Sequence, residues 1–430
     1  MPIRPAISRS GKGPCGELSY SDEGALSPPS PVPIPERGCV RPSSCAASMT
    51  PWHIDWRLWR RLASAGALCL AAIQGRASAE LALDFSPREP SQLGAFQIVI
   101  NAGATLAENL PALQAFQRAA ARWEALISDP IVVTIDADLG SLGAGVLGSA
   151  SAVRLFAPFA TIRNAMVADA ADEPDDAVVA ALPTTPSFTL PDGFATDGNL
   201  QLTKANAKAL NFVGLDQTFG VSDGSIEFNL DFSFDYDNSD GVAPGFFDFE
   251  SVAAHEIGHI LGFFSDVDFI DVVMSLGGTS SEVRPTTVDM FRFADGGSDD
   301  PETVAEFSSN PRSLVPGVSA VFDQILGADG ALAEIPMATG LTQGDGRQAS
   351  HWKDNLGLGL LGPSLAPGQI VGISANDARA LDLIGYEISF SVVAIPEARA
   401  YLMAAGVAGL VGMSHVGGIF RRRRGTNETL

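Results

Sequence analysis

Five residues in the middle of the chain, His255-Glu-Ile-Gly-His259, combine two imidazoles and a carboxylate at a spacing suited to metal chemistry. The stretch around them, Phe249 to Gly262, is rich in Ala, Ile and Leu and has no interior Pro, so it reads as a helix. On a helix His255 and His259 are i and i+4 and project from one face, one turn apart, so their rings converge on one point. Glu256 lies beside the first and is placed to polarise a water held by a metal at that point. Ile257, Ile260, Leu261, Phe263 and Phe264 surround these polar groups with apolar packing, and buried polar groups need the partner that a metal provides. Gly262 can close the helix in a left-handed turn.

This is the pattern of the H-E-x-x-H zinc hydrolases. A catalytic zinc ion takes three protein ligands and leaves its fourth place to water, so a third ligand must come from elsewhere. Six residues after His259 stands Ser265, a poor ligand, with the carboxylates of Asp266 and Asp268 close by. Glu282 lies in Ser280-Ser-Glu-Val-Arg-Pro285, which reads as a loop. His351, in Ala349-Ser-His-Trp-Lys353, is the favoured candidate, because the other histidines, His53 and His415, fall near the two ends of the chain. Asp266 and Asp268 stay open as alternatives. Imidazoles must be neutral to bind a metal, so activity should fade towards acid pH as they protonate around their reference value of about 6.5.

The elements that must position these residues belong to a chain of 430 residues, long enough for one large domain or two ordinary ones. Only 18% of its residues are charged and the net charge is -23, which disfavours nucleic acid as a partner and suits an acidic exported protein. The charge is uneven: Glu80 to Ile395 holds 13 basic against 43 acidic residues, near -30, while both ends are basic. Cys15, Cys39, Cys45 and Cys69 all precede Glu80.

Residues 1–48, rich in Pro, Ser and Gly, read as a disordered or misassigned N-terminal extension. Residues 49–79 read as a signal peptide, with Arg57, Arg60 and Arg61 ahead of the apolar run Leu62 to Ile73 and a small-residue cleavage site at Ala77-Ser-Ala79. Within the body, residues 80–395, Asn109 to Ser128 is an amphipathic helix with Pro111 near its start and apolar Leu113, Phe116, Ala120, Trp123 and Ile127. Ile131 to Ala137 and Ser225 to Phe234 read as strands, and Thr203 to Leu210 as a short helix. A strand running towards the active-site helix could be an edge that pairs with an extended substrate, a role weighed for Ser225 to Phe234 against that of ordinary sheet. The alternating carboxylates of Asp235-Tyr-Asp-Asn-Ser-Asp-Gly241 suggest a calcium ion, but the Gly comes one place later than an EF-hand loop requires, which favours a solvated turn.

The pairing of His255-Glu-Ile-Gly-His-Ile-Leu-Gly262 with a distant Ser350-His-Trp-Lys353, then Gly359-Leu-Leu-Gly-Pro363 and Asn376-Asp-Ala-Arg-Ala-Leu-Asp-Leu-Ile-Gly385, resembles the leishmanolysin-type metzincins, over roughly residues 110 to 388. The resemblance implies an α+β zinc-protease domain with a mixed sheet and an active-site helix in residues 80–262. It implies a C-terminal subdomain with a closing helix in residues 263–395, and His255, His259 and His351 as zinc ligands with Glu256 as base. It also implies a protein or peptide substrate. Leu361 stands where the family has a Met in a turn beneath the metal, and Gly362 where bacterial relatives tend to have Asp. That departure keeps open a second class, a catalytically weak or inactive surface or matrix protein on the same fold. The family's cysteine latch cannot operate in a body without Cys, and Met290 in the insertion is expected in the core.

After residue 395, Ile395-Pro-Glu-Ala398 precedes an uncharged run of 21 residues, 400–420, and Arg421 to Arg424. Twenty-one helical residues span roughly 30 Å, a bilayer core, and the arginines hold that end in the cytoplasm. Residues 396–424 resemble a PEP-CTERM sorting signal. That resemblance implies passage through the Sec export machinery, transient anchoring in the inner membrane of a Gram-negative bacterium, cutting by an exosortase-type enzyme, and release to the surface or matrix.

Overall fold

The computed structural model describes residues 95–172, 177–326 and 331–388. Residues 1–48, 49–79 and 396–424, read above as an N-terminal extension, a signal peptide and a sorting signal, lie outside the described residues. Among the described residues no helix is long and apolar enough to cross a membrane.

The β-branched run Val132-Val-Thr-Ile forms strand β2 (Val132–Gly140) between β1 (Gln97–Ala102) and β4 (Gly224–Asn229), with β3 (Gly148–Ala152) beyond β4. β1, β2 and β4 run parallel and β3 runs antiparallel, giving an α+β protein with a mixed sheet. Ser225 to Phe234 is therefore not an edge. Its strand ends at Asn229, whose side-chain amide turns to the carbonyls of Gly143 and Val146, and the edge position falls to β3.

Helix α1 (Leu110–Glu124) begins where expected: Asn109 accepts from the Ala112 N–H, and Pro111 sits in the first turn, where its missing N–H costs nothing. It ends before Ser128. The N–H groups of Leu126 and Ile127 both return to the Trp123 carbonyl, tightening the last turn ahead of Asp129-Pro130, where the ring disfavours further helix. Its buried stripe, Ala112, Ala115, Phe116, Ala119 and Trp123, packs on helix α2 (Phe249–Leu261). Phe228 of β4 lies between Phe116 and Phe249 with ring centroids 5.2 and 4.5 Å away, so sheet and both helices share one apolar layer. The expected short helix spans Lys204–Ala209, capped by Thr203.

Beyond α2 come helix α3 (Val267–Ser275), an antiparallel sheet β5 (Arg292–Ala294), β6 (Ala320–Leu326) and β7 (Ala331–Met337) in that order, and helix α4 (Ala375–Leu383). Met290 is fully buried. The loop at Asp235–Gly241 is closed on itself: Asp235 accepts from the N–H groups of Asp237 and Ala243, and Asp237 from that of Ser239. Those carboxylates are turned to the backbone, as in a side-chain-stabilised turn.

Candidate metal centre

Asp248 caps α2 by accepting from the Ser251 N–H, and Gly262 ends it at φ +127°, which lets the Phe263 N–H return to the Gly258 carbonyl. The helix is anchored by the Trp123 indole N–H, which donates to the Ala254 carbonyl at 2.9 Å, and by Glu250, which pairs with Arg122 at 2.6 Å and with Arg118. These contacts set the rotation of α2, and with it the direction of both of its imidazoles.

His351 arrives from 92 residues beyond His259. Asp268 of α3 accepts from the N–H groups of Ala349 and Ser350 at 2.6 and 3.0 Å and from the Ser350 hydroxyl, fixing the segment just before His351. On the other side the Ala338 N–H donates to the His351 carbonyl and the Lys353 N–H to the Pro336 carbonyl, so the end of β7 carries the same segment. Neither alternative carboxylate joins the cluster. Asp268 is this clamp, and Asp266 accepts from Gln201 and from the Arg284 N–H. Glu282 lies exposed on a short strand, Ser281–Val283, instead of the expected loop.

The three Nε2 atoms stand 3.1, 3.2 and 3.2 Å apart. Each ring's Nδ1 lies against a backbone carbonyl: His255 on Leu360 at 2.8 Å, His259 on Phe263 at 2.7 Å, His351 on Gln348 at 3.1 Å. A carbonyl only accepts, so each Nδ1 carries the proton and each Nε2 presents a lone pair. Three lone pairs aimed at one another cannot hydrogen-bond among themselves, and a cation between them removes the repulsion. Nitrogens about 2.0–2.1 Å from a tetrahedral ion lie about 3.3 Å apart, close to the spacing observed.

Burial lowers all three imidazole pKa values, His259 to about 3 and His351 well below the ordinary value, with the neighbouring rings adding to the effect on those two. The rings thus stay neutral further into acid than the sequence suggested. Burial also pushes Glu256 up to about 8, partly opposed by the Ala150 N–H of β3 that it accepts. A dication nearby would favour its ionised form.

Two features beneath the rings were not read from the sequence, the role of Asp377 and the close approach of Leu361 to Gly258. Asp377, the third residue of α4, accepts from the Trp352 indole at 2.8 Å, from the N–H groups of Leu360 and Leu361 at 2.7 and 3.0 Å, and from that of Ser374 at 2.7 Å. It therefore holds both the carbonyl that orients His255 and the residue after His351. The Ser374-x-x-Asp377 spacing at the helix start is the signal that could have found it. Leu361 is fully buried beneath α2, where a Cβ on Gly258 would meet its Cδ2 at 2.5 Å, so Gly258 is what lets that turn approach the helix.

A comparison of the chain with protein-family models, with curated proteins and with solved structures returned no match. The reading of the site rests on its own residues.

Proposed function

We propose that the protein is a zinc-dependent endopeptidase of metzincin type, exported and acting on protein or peptide substrates. The observation that carries this reading is the set of three proton-free Nε2 atoms converging beside a buried glutamate. His255, His259 and His351 would hold the ion, which when bound supplies a Lewis acid and lowers the pKa of a coordinated water. Glu256 takes a proton from the attacking water at its carboxylate and passes it to the leaving amine. The antiparallel edge strand β3 offers the substrate a backbone template. Its odd-numbered positions bond β4, as Leu147 and Val153 do at its two ends, so the N–H and C=O groups of Gly148 and Ala152 and the C=O of Ala150 face outward, while the Ala150 N–H is held by Glu256. Gly148 has no room for a side chain, since a Cβ there would lie 2.8 Å from a Glu256 oxygen.

The position of β3 beside α2, the late third histidine, the turn bearing Leu361 and the closing helix α4 all support the resemblance to leishmanolysin-type metzincins. The test is cleavage of casein by the purified protein with and without a chelator, beside Glu256→Gln. The expected result is loss of cleavage with the chelator and a fall of about 10²- to 10⁴-fold in the variant, which still binds zinc. Cleavage indifferent to both rejects the proposal. A zinc-loaded wild type that cleaves nothing moves the assignment to the inactive surface or matrix protein.

A further inference from the structure

A second group of potential ligands lies on the sheet β5-β6-β7, away from the histidines. Asp323 of β6 and Glu334 of β7 are directly opposite in the antiparallel register, an arrangement in which like charges repel. Asp300 joins them from the loop after β5, Asp295-Gly-Gly-Ser-Asp-Asp300, which folds back so that the Gly296 N–H donates to one Asp300 oxygen at 2.6 Å. One oxygen from each of the three carboxylates lies within 4.8 Å of the other two.

Asp323 is the decisive residue. It is completely buried, yet among the described residues neither of its carboxylate oxygens has a hydrogen-bond partner, and one Asp300 oxygen is likewise buried and unpartnered. Arg312 meets Asp323 only at a distance: its Nε and Nη1 donate to the carbonyls of Met290 and Asn310, its plane lies over Phe293 and Phe307, and its buried Nη2 has no partner among the described residues, so its charge favours the Asp323 carboxylate without a direct contact. A buried carboxylate without partners is strongly unfavourable unless a proton or a cation meets it. Burial first, then the charges of Asp300 and Glu334, push Asp323 up to about 8 against the opposing charge of Arg312, so the proton is one answer.

We propose that Asp300, Asp323 and Glu334 form a calcium site. An all-oxygen, all-carboxylate set suits a hard cation and not the nitrogen-preferring ion of the histidine cluster. Calcium takes 6–8 oxygens at about 2.3–2.6 Å, so oxygens within 4.8 Å of one another fit the span of two such bonds. The exposed Glu334 leaves solvent free to complete the shell. The ion would tie the Gly-rich loop to the β6-β7 ladder, whose far end carries the His351 segment through Pro336 and Ala338.

The test is calcium titration and thermal unfolding of the purified, zinc-loaded protein at pH 7.5. The expected result is one saturable site and a rise in Tm of about 5 °C at saturating calcium. Asp323→Asn should abolish the calcium response while raising Tm in calcium's absence, because it removes an unpartnered buried acid. Glu334→Gln, at an exposed position that folding tolerates, should weaken calcium binding about 10-fold or more. His351→Ala should keep the calcium response. Absence of saturable binding to the wild type, or a response that survives in both carboxylate variants, overturns the proposal.

Discussion

The histidine cluster and the acidic cluster each gather three ligands from distant stretches, but they differ in what the protein does with the atoms that would not touch an ion. Every imidazole has its second nitrogen on a backbone carbonyl, and those carbonyls sit on a helix end, on a loop gripped by Asp268 and on a turn gripped by Asp377. Among the described residues Asp323 has no such neighbour. The first site is organised by protein hydrogen bonds before any ion arrives. The second leaves part of its organisation to the ion, or to a proton in its place. Preorganisation suits a site whose geometry must be held for chemistry, and the looser arrangement suits a structural tie.

The largest test of this contrast is His351→Ala. Removal of one of three aimed ligands should lower zinc affinity by more than about 100-fold in competition with a chromophoric chelator, without loss of fold. Unchanged affinity would mean that Asp266 or Asp268 leaves its backbone partners to replace the histidine, and the site would not be preorganised.

Next in size is the pH response of the acidic cluster. Asp323 has a folded pKa near 8, above its value in the unfolded chain, so the folded state holds the extra proton and loses stability as pH rises through this window. In calcium-free buffer, Asp323→Asn should gain stability over the wild type by roughly 3 kcal/mol between pH 5 and pH 8, read from Tm across that range. A variant less stable than the wild type at every pH would show that Asp323 has partners after all. The histidines run the other way: their depressed folded values mean that the unfolded chain takes up protons first below about 6.5, so their contribution is lost as pH falls.

Asp377→Asn probes the support beneath the histidines and should have the smallest effect. An amide keeps one acceptor oxygen where four N–H groups converge, and the expected cost is about 2 kcal/mol in denaturant unfolding with a zinc affinity about 10-fold weaker. Full affinity in a destabilised variant would separate the turn's role in folding from its role in orienting His255.

Much of the histidine site was legible because its chemistry is local. His255, Glu256 and His259 lie within one helical turn, and the apolar pattern that makes α2 a helix also sets their common direction. The third ligand was nameable because few histidines exist, while Asp266 and Asp268 stayed open as alternatives because a carboxylate near a motif looks the same whether it faces a metal or a backbone N–H. Of the two roles weighed for Ser225 to Phe234, ordinary sheet is the one the topology gives: alternation identifies a strand but not its neighbours, and the edge strand β3, Gly148-Ser-Ala-Ser-Ala152, has little β-branched or aromatic content to announce itself. The acidic cluster was missed while a similar loop at Asp235 drew attention. The difference lies in where the backbone N–H groups point, and composition does not encode that.

By itself the sequence determined the periodic elements, the two-histidine face of α2 and the small pool of candidate ligands, since these depend on spacing along one chain. Only the tertiary structure decided which strand forms the sheet edge, that residue 351 meets the other two imidazoles, and that Asp323 is buried without a hydrogen-bond partner among the described residues. Each of those outcomes depends on segments tens of residues apart sharing one low-dielectric interior, where an atom's partners, and not its identity, set its energy.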